Sequence, residues 1–133
     1  MKTINVSGRR KKALARATAK EGKGIIRINK TPLEAIQPEI SKLRLQEPLQ
    51  IAGDYAKKIN IDVKIKGGGS QGQIEAARLA IGRALFIFSN KNPQLRKDFT
   101  DYDRHLLVAD VRVNEPHKPN DSKARAKRQK SYR

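Results

Sequence analysis

Residues 59–66 read Ile-Asn-Ile-Asp-Val-Lys-Ile-Lys, apolar and polar in strict alternation, which is the period of a β-strand with one buried face. Shorter runs at 3–6 (Thr-Ile-Asn-Val) and 25–28 (Ile-Ile-Arg-Ile) carry the same signal. Residues 13–20 alternate Ala with larger side chains. An Ala-rich run is equally compatible with a helix, but Glu21-Gly22-Lys23-Gly24 turns it directly into residues 25–28, which favours a strand in a hairpin.

Helix starts are marked by caps. Thr31-Pro32-Leu33-Glu34 places a hydroxyl, a proline and a glutamate at N-cap, first and third helical positions, and Ser70-Gln-Gly-Gln73 is a second capping-box pattern. Beyond Ser70, Ile74, Ala77, Ile81, Leu85 and Phe88 recur at helical spacing, while Ala76, Ala80 and Ala84 keep that side narrow enough to approach a sheet closely. This segment is the expected core helix. Residues 39–45 supply Ile40, Leu43 and Leu45 to another helix, which Pro48 is expected to end or restart before Ile51. Asn92-Pro93 reads as cap and first residue of a short helix carrying Leu95 and Phe99. These elements predict an α+β fold, a four-stranded sheet with helices packed on one face.

Charge changes the picture from fold to partner. The 133 residues include 30 Lys+Arg against 13 Asp+Glu, a net charge of +17. It is unevenly spread: residues 1–30 carry +9, residues 31–110 carry +2 and residues 111–133 carry +6. The nearly neutral middle suggests a globular body over 1–112 and an extended basic tail over 113–133. From Glu115 onward no aliphatic side chain is larger than Ala, too little apolar surface to offset chain entropy. The residues from Pro116 on could span about 60 Å when extended. A sequence pI near 10.5 fits a polyanion, nucleic acid first and an anionic membrane surface second. The absence of cysteine excludes disulfides, Cys-ligated zinc and thiol catalysis, and the first residues lack a signal-peptide apolar stretch, which favours an intracellular protein. No apolar run approaches the roughly 18 residues needed to span a bilayer.

Three segments carry candidate chemistry. Gly67-Gly-Gly-Ser-Gln-Gly72 joins the best strand to the best helix, where helix N–H groups can meet a phosphate or the glycines can simply make a turn. It lacks the Gly-Lys-Ser/Thr of a Walker A loop. Arg9-Arg-Lys-Lys12 is expected in a loop between two strands, projecting four cations toward an RNA backbone whose counterions they would release. The tail adds further cations and Tyr132, which could stack on a base or sugar. None of the four strand candidates contains Phe, Tyr or Trp, which argues against an RRM-type stacking sheet. His105 and His117 have neither metal spacing nor an evident partner, and Asp98, Asp101, Asp103 and Asp110 lack an EF-hand pattern, so a solvated, salt-bridged surface is the better account.

The combination resembles the universal small-subunit ribosomal protein nine family. The resemblance spans Gly8-Arg-Arg-Lys-Lys-Ala-Leu-Ala-Arg16, Gly22-Lys-Gly24 with Ile28-Asn29, and Gly67-Gly-Gly-x-x-Gly-Gln73 with Ala76, Ala77 and Arg78, as well as the tail. Glu115-Pro-His-Lys-Pro-Asn120 and Gln129-Lys-Ser-Tyr-Arg133 look like the archaeal branch, Tyr132 standing where bacterial members usually have a penultimate lysine. The resemblance implies a ribosomal S5 domain 2-like fold and a non-catalytic, cytoplasmic place in the head of the small subunit. It implies rRNA binding by Arg9, Arg10, Lys11, Lys12, Arg16, Gly67, Gly68, Gly69 and Gln71, and along the tail by Lys123, Arg125, Lys127, Arg128 and Lys130. Ser131, Tyr132 and Arg133 would reach the anticodon stem-loop of peptidyl-site tRNA. Neighbouring head proteins are the other implied partners, with no cofactor, metal, membrane or small-molecule substrate. A free nucleic-acid chaperone or DNA-compacting protein would share the charge without one rRNA site. A small phosphotransferase, suggested by the glycine turn, lacks a convincing nucleotide lysine or catalytic acid.

Overall fold

The computed structural model describes residues 3–112. Five strands, β1 (Ile4–Arg10), β2 (Ala13–Glu21), β3 (Ile26–Ile28), β4 (Thr31–Pro32) and β5 (Ile59–Lys66), form one sheet in the order β1-β2-β5-β3-β4. All pairs are antiparallel except β3 with β5. Helices α1 (Glu39–Ala52), α2 (Ser70–Phe88) and α3 (Pro93–Tyr102) complete the body. The fold is α+β, with five strands where the sequence pattern predicts four.

The fifth strand explains why the Thr31 cap is not made. Asn29 and Lys30 both adopt left-handed backbone, φ 49° and 69°, the conformation of a two-residue hairpin turn. That turn folds Thr31–Pro32 back on β3, pairing Ile28 with Thr31 and Arg27 with Pro32. Leu33–Ala35 then makes one 3-10 turn, and α1 starts only at Glu39. Pro48 neither ends nor restarts α1; the helix runs through it to Ala52, and the ring is buried in the core. At α2 the N-cap is Gly69, not Ser70, and no side chain caps it. Gln73 instead donates from Nε2 to the Gly67 carbonyl at 3.1 Å, tying the glycine loop to the first turn. Asn92 caps α3 as its sequence predicts, accepting from the Gln94 amide at 3.0 Å with Pro93 at the first position.

Strand parity builds the core. On β2, Ala13, Ala15, Ala17 and Ala19 are buried, and on β5, Ile59, Ile61, Val63 and Ile65. Against them α2 lays Ala76, Ala77, Ala80, Ile81, Ala84 and Leu85. The small side chains on both elements let backbones approach closely. The closest approach is at Gly8 of β1, where a Cβ would overlap the Ala76 carbonyl oxygen and fall 2.8 Å from the Ala80 nitrogen. Asn60 and Asn29 lock the strand ends: Asn60 Oδ1 accepts from the Lys23 and Ile25 amides at 2.9 and 3.0 Å, and Asn29 Oδ1 from the Ile65 amide at 2.9 Å.

Candidate nucleic-acid interface

Alternation that buries one face of the sheet exposes the other. The register places Arg9 beside Leu14 and Leu14 beside Lys66; Ser7 beside Arg16 and Arg16 beside Lys64; Thr18 beside Asp62 and Asp62 beside Arg27. Lys20 follows on β2. The exposed face therefore carries six cations, Arg9, Arg16, Lys20, Arg27, Lys64 and Lys66, against the single carboxylate of Asp62. Arg16 and Lys64 are directly opposite, an arrangement of like charges that costs stability in an isolated sheet.

The described residues divide their cations by partner. Arg10, Arg44, Arg78 and Arg112 are held by carboxylates, whereas none of the six on the sheet face forms an ion pair with a described carboxylate. Arg10 makes the contrast sharpest. The sequence pattern placed residues 9–12 in one projecting loop; β1 in fact continues to Arg10, and only Lys11 and Lys12 form the turn. Adjacent residues of a strand face opposite ways. Arg9 is consequently on the exposed sheet face, and Arg10 turns to the helix side, donating to Glu75 at 2.7 Å and lying 3.6 Å from Asp110.

The glycine loop meets that turn. Gly67 and Gly68 adopt φ +74° and +72°, and added Cβ atoms would fall 2.7 Å from the Lys12 carbonyl oxygen and 2.8 Å from Ala13. Only glycine fits so near the β1–β2 turn in that backbone conformation. Gly69 is unobstructed, and the exposed Gln71 accepts from Arg44 at 3.2 Å. Lys11, Lys12, Lys66, the glycine loop and the uncapped N-terminus of α2 thus share one end of the sheet. The unpaired first-turn amides and helix dipole make this end attractive to phosphate.

Residues 104–112 run along the outer edge of β1 to the same end. Arg83 bridges the two, donating to the Leu107 carbonyl at 3.0 Å and to the Ser7 carbonyl at 2.9 Å. Arg10 donates to the Arg112 carbonyl at 3.1 Å, and Arg112 grips Asp110 through Nε and Nη2. Hydrogen bonds from the Arg112 guanidinium and amide hold the Asp110 carboxyl well below the usual carboxylate range. Residue 113, where the expected tail begins, therefore follows a fixed root; Lys123, Arg125, Lys127, Arg128, Lys130, Ser131, Tyr132 and Arg133 lie outside the described residues.

Beside β1 opens a broad groove whose lining includes Arg16 and Lys64 together with Lys91, Arg96 and Arg104. Lys20, Arg27, Lys64, Lys66 and this second group were not among the sequence-derived candidates. The signal for the strand cations was available: pairing Arg10 with Ala13 across a two-residue turn fixes which parity faces out along β1 and β2. For Lys91, Arg96 and Arg104 no local pattern gives their position, which depends on how α3 packs.

Several of the described carboxylates are drawn into pairs with arginines. Asp103 accepts from Arg78 at 2.8 Å, while Arg78 also donates to Glu47 at 2.9 Å, joining α1, α2 and the end of α3. Burial would raise the Asp103 pKa, but the Arg78 hydrogen bond, the His105 amide and the Arg78 charge bring it below the ordinary value. Among the described residues no group of three or more His, Asp or Glu is placed to hold a metal ion, and no helix is long and apolar enough to cross a membrane.

Comparison with known proteins decides the family. The ribosomal protein S9/S16 family matches residues 8–133. This chain belongs to that family. Three curated relatives are the small ribosomal subunit protein uS9 of Methanococcus maripaludis strains C7 and C5 and of Methanococcus vannielii, each 50% identical over 135 aligned positions covering the whole of both chains. The archaeal character of the terminal motifs agrees with these relatives. Within this S9/S16 family member, the glycine loop and residues 8–16 that carried the resemblance are the segments the fold brings into contact.

Proposed function

We propose that this chain is a structural, non-catalytic constituent of the cytoplasmic small ribosomal subunit, with the ribosomal S5 domain 2-like fold and a place in the subunit head. The body over 1–112 lays its exposed sheet face and the adjoining turn on small-subunit rRNA. Arg9, Lys11, Lys12 and Arg16, extended by Lys64 and Lys66, neutralise phosphates; Gly67, Gly68, Gly69 and Gln71 shape the loop that backbone phosphate approaches. Arg10, committed to Glu75 and Asp110, holds the frame. The tail over 113–133 leaves from the rooted end, with Lys123, Arg125, Lys127, Arg128 and Lys130 along rRNA and Ser131, Tyr132 and Arg133 at the peptidyl-site tRNA. The observation that carries this reading is the row of sheet-face cations without described acidic partners, because like charges in adjacent register repel one another and a polyanion relieves that repulsion.

The test uses the absence of native cysteine. A single cysteine at position 64 or 66, bearing a tethered iron chelate, is built into purified small subunits, and hydroxyl-radical cleavage of the rRNA is mapped. Strong local cleavage is expected; cleavage no greater than from a probe at Leu43 on α1 would oppose the assignment of the face. For the tail, deleting Ser131, Tyr132 and Arg133 is expected to leave incorporation intact and to hasten dissociation of peptidyl-site tRNA. Unchanged dissociation would remove the tRNA role.

A further inference from the structure

Away from the cationic sheet, α1 and α3 present a surface of different chemistry. Ile40 is 69% exposed and Leu43 52% exposed, three residues apart on one face of α1. Tyr102, at the end of α3, is 56% exposed and lies close enough to Glu47 for that carboxylate to push the phenol pKa up. Glu47 follows Leu43 by one helical turn, and Glu39 precedes it by one, so the aliphatic pair is framed by carboxylates along its own strip. On α3, Asp98 precedes Tyr102 by one turn. Of the basic residues of α1, Lys42 stands about 100° from Leu43, and Arg44, one turn beyond Ile40, has its guanidinium engaged elsewhere. Arg44 turns to Gln71 and Glu75. Arg78 reaches Glu47 from the interior, but it serves Asp103 as well, which leaves the trio with net negative charge.

From this we infer that the Ile40–Leu43–Tyr102 strip seats a cationic segment with aliphatic side chains from a neighbouring protein of the small subunit. The proposal rests on the ribosomal placement above and adds a surface and a partner chemistry to it. Two arguments select the occupant. Exposed aliphatic and aromatic side chains gain by removal from water, which a phosphate backbone does not provide. The framing carboxylates of Glu39, Glu47 and Asp98 repel phosphate and attract Lys or Arg. The two sides of the body thus sort partners, cations toward RNA and the acid-framed apolar strip toward protein.

The experiment places a photoreactive phenylalanine analogue at position 43 in the full chain, assembled into purified small subunits. The expected product is a crosslink to one protein, within a peptide containing Lys or Arg beside an aliphatic residue. Crosslinks to rRNA, or no crosslink in subunits that contain the probe at full stoichiometry, would overturn the inference while leaving the sheet-face reading untouched. A second variant, Leu43→Lys, sets an ammonium into the strip at an exposed position. It should reduce the crosslinked neighbour's retention through a moderate-salt wash by about tenfold, with the free protein's melting unchanged. Full retention of that neighbour would also overturn it.

Discussion

Replacing Arg16 and Lys64 together by Gln isolates the electrostatic part of the interface. The two side chains are exposed and directly opposite across β2 and β5, so their loss removes adjacent positive charges without opening the core. Each phosphate contact contributes about 0.7 to 0.9 to the slope of log affinity against log salt. Losing two should make that slope shallower by about 1.4 to 1.8, so that between 50 and 200 mM salt the variant's affinity falls roughly 7- to 12-fold less than the parent's. Filter binding of the purified proteins to a transcript of the small-subunit rRNA head region, at graded KCl, measures both slopes. The free variant should melt at or slightly above the parent temperature, because a like-charge pair is gone. Lys97→Gln, at an exposed position of α3, provides a single-charge control and should change the slope little. Parallel salt dependences for parent and double variant would refute phosphate contact by this face.

Gly8→Ala drives a Cβ into two backbone atoms of α2, neither of which can move alone, and should cost about 3 kcal/mol, read as a lowered midpoint in chemical denaturation. Gly69→Ala, with nothing within 4 Å of its Cβ, should stay within about 0.5 kcal/mol in the same assay. Lys11→Gly relieves a non-glycine residue at φ 54° and should stabilise the body by roughly 1 kcal/mol, while making the rRNA salt slope shallower by about 0.7 to 0.9. The folded-state pKa of Asp103 is depressed, so its contribution to stability is present above the unfolded carboxylate value and lost as pH falls below about 4. Asp103→Asn should therefore be less stable than the parent near neutrality and converge with it in acid, as followed by denaturation midpoints across pH 3 to 7.

The strict alternation at 59–66 was sufficient to place β5, because each residue obeys the same period and one face is wholly buried. The Ala-rich β2 is a strand as expected, but the hairpin of residues 13–20 with 25–28 that argued for it is not made: β5 lies between β2 and β3, and β2 pairs with β1 and β5 instead. What failed was the reading of Thr31-Pro32 as a helix start. Its local chemistry is that of a cap, but Asn29 and Lys30 take the left-handed conformations that fold it into a hairpin, and pairing with β3 overrides the cap. Pro48 failed for a different reason: the local cost of a proline in a helix, a lost amide hydrogen bond and a clash with the preceding turn, is offset by burial of its ring. The hairpin lies within seven residues and the cap reading overlooks its turn, whereas the burial of Pro48 depends on packing that no local window shows.

At the interface the same distinction separates Arg9 from Arg10. Sequence shows four consecutive cations and assigns them one role; the strand assigns them two. Arg9 joins Arg16, Lys64 and Lys66 on the exposed face, while Arg10 crosses to Glu75 and Asp110 and donates to the Arg112 carbonyl. A net charge of +17 therefore overstates what is free to meet RNA, since the arginines at 10, 44, 78 and 112 already have acidic partners. The arginine fork suits these internal pairs, where one guanidinium can serve two carboxylates, as Arg78 does for Glu47 and Asp103. The six cations of the sheet face and the two of the turn have no such partner among the described residues, and the side bearing Ile40, Leu43 and Tyr102 places Glu39, Glu47 and Asp98 beside them. Charge sign and polarity thus follow strand parity and helix phase, which is how one small body can offer RNA and protein different surfaces.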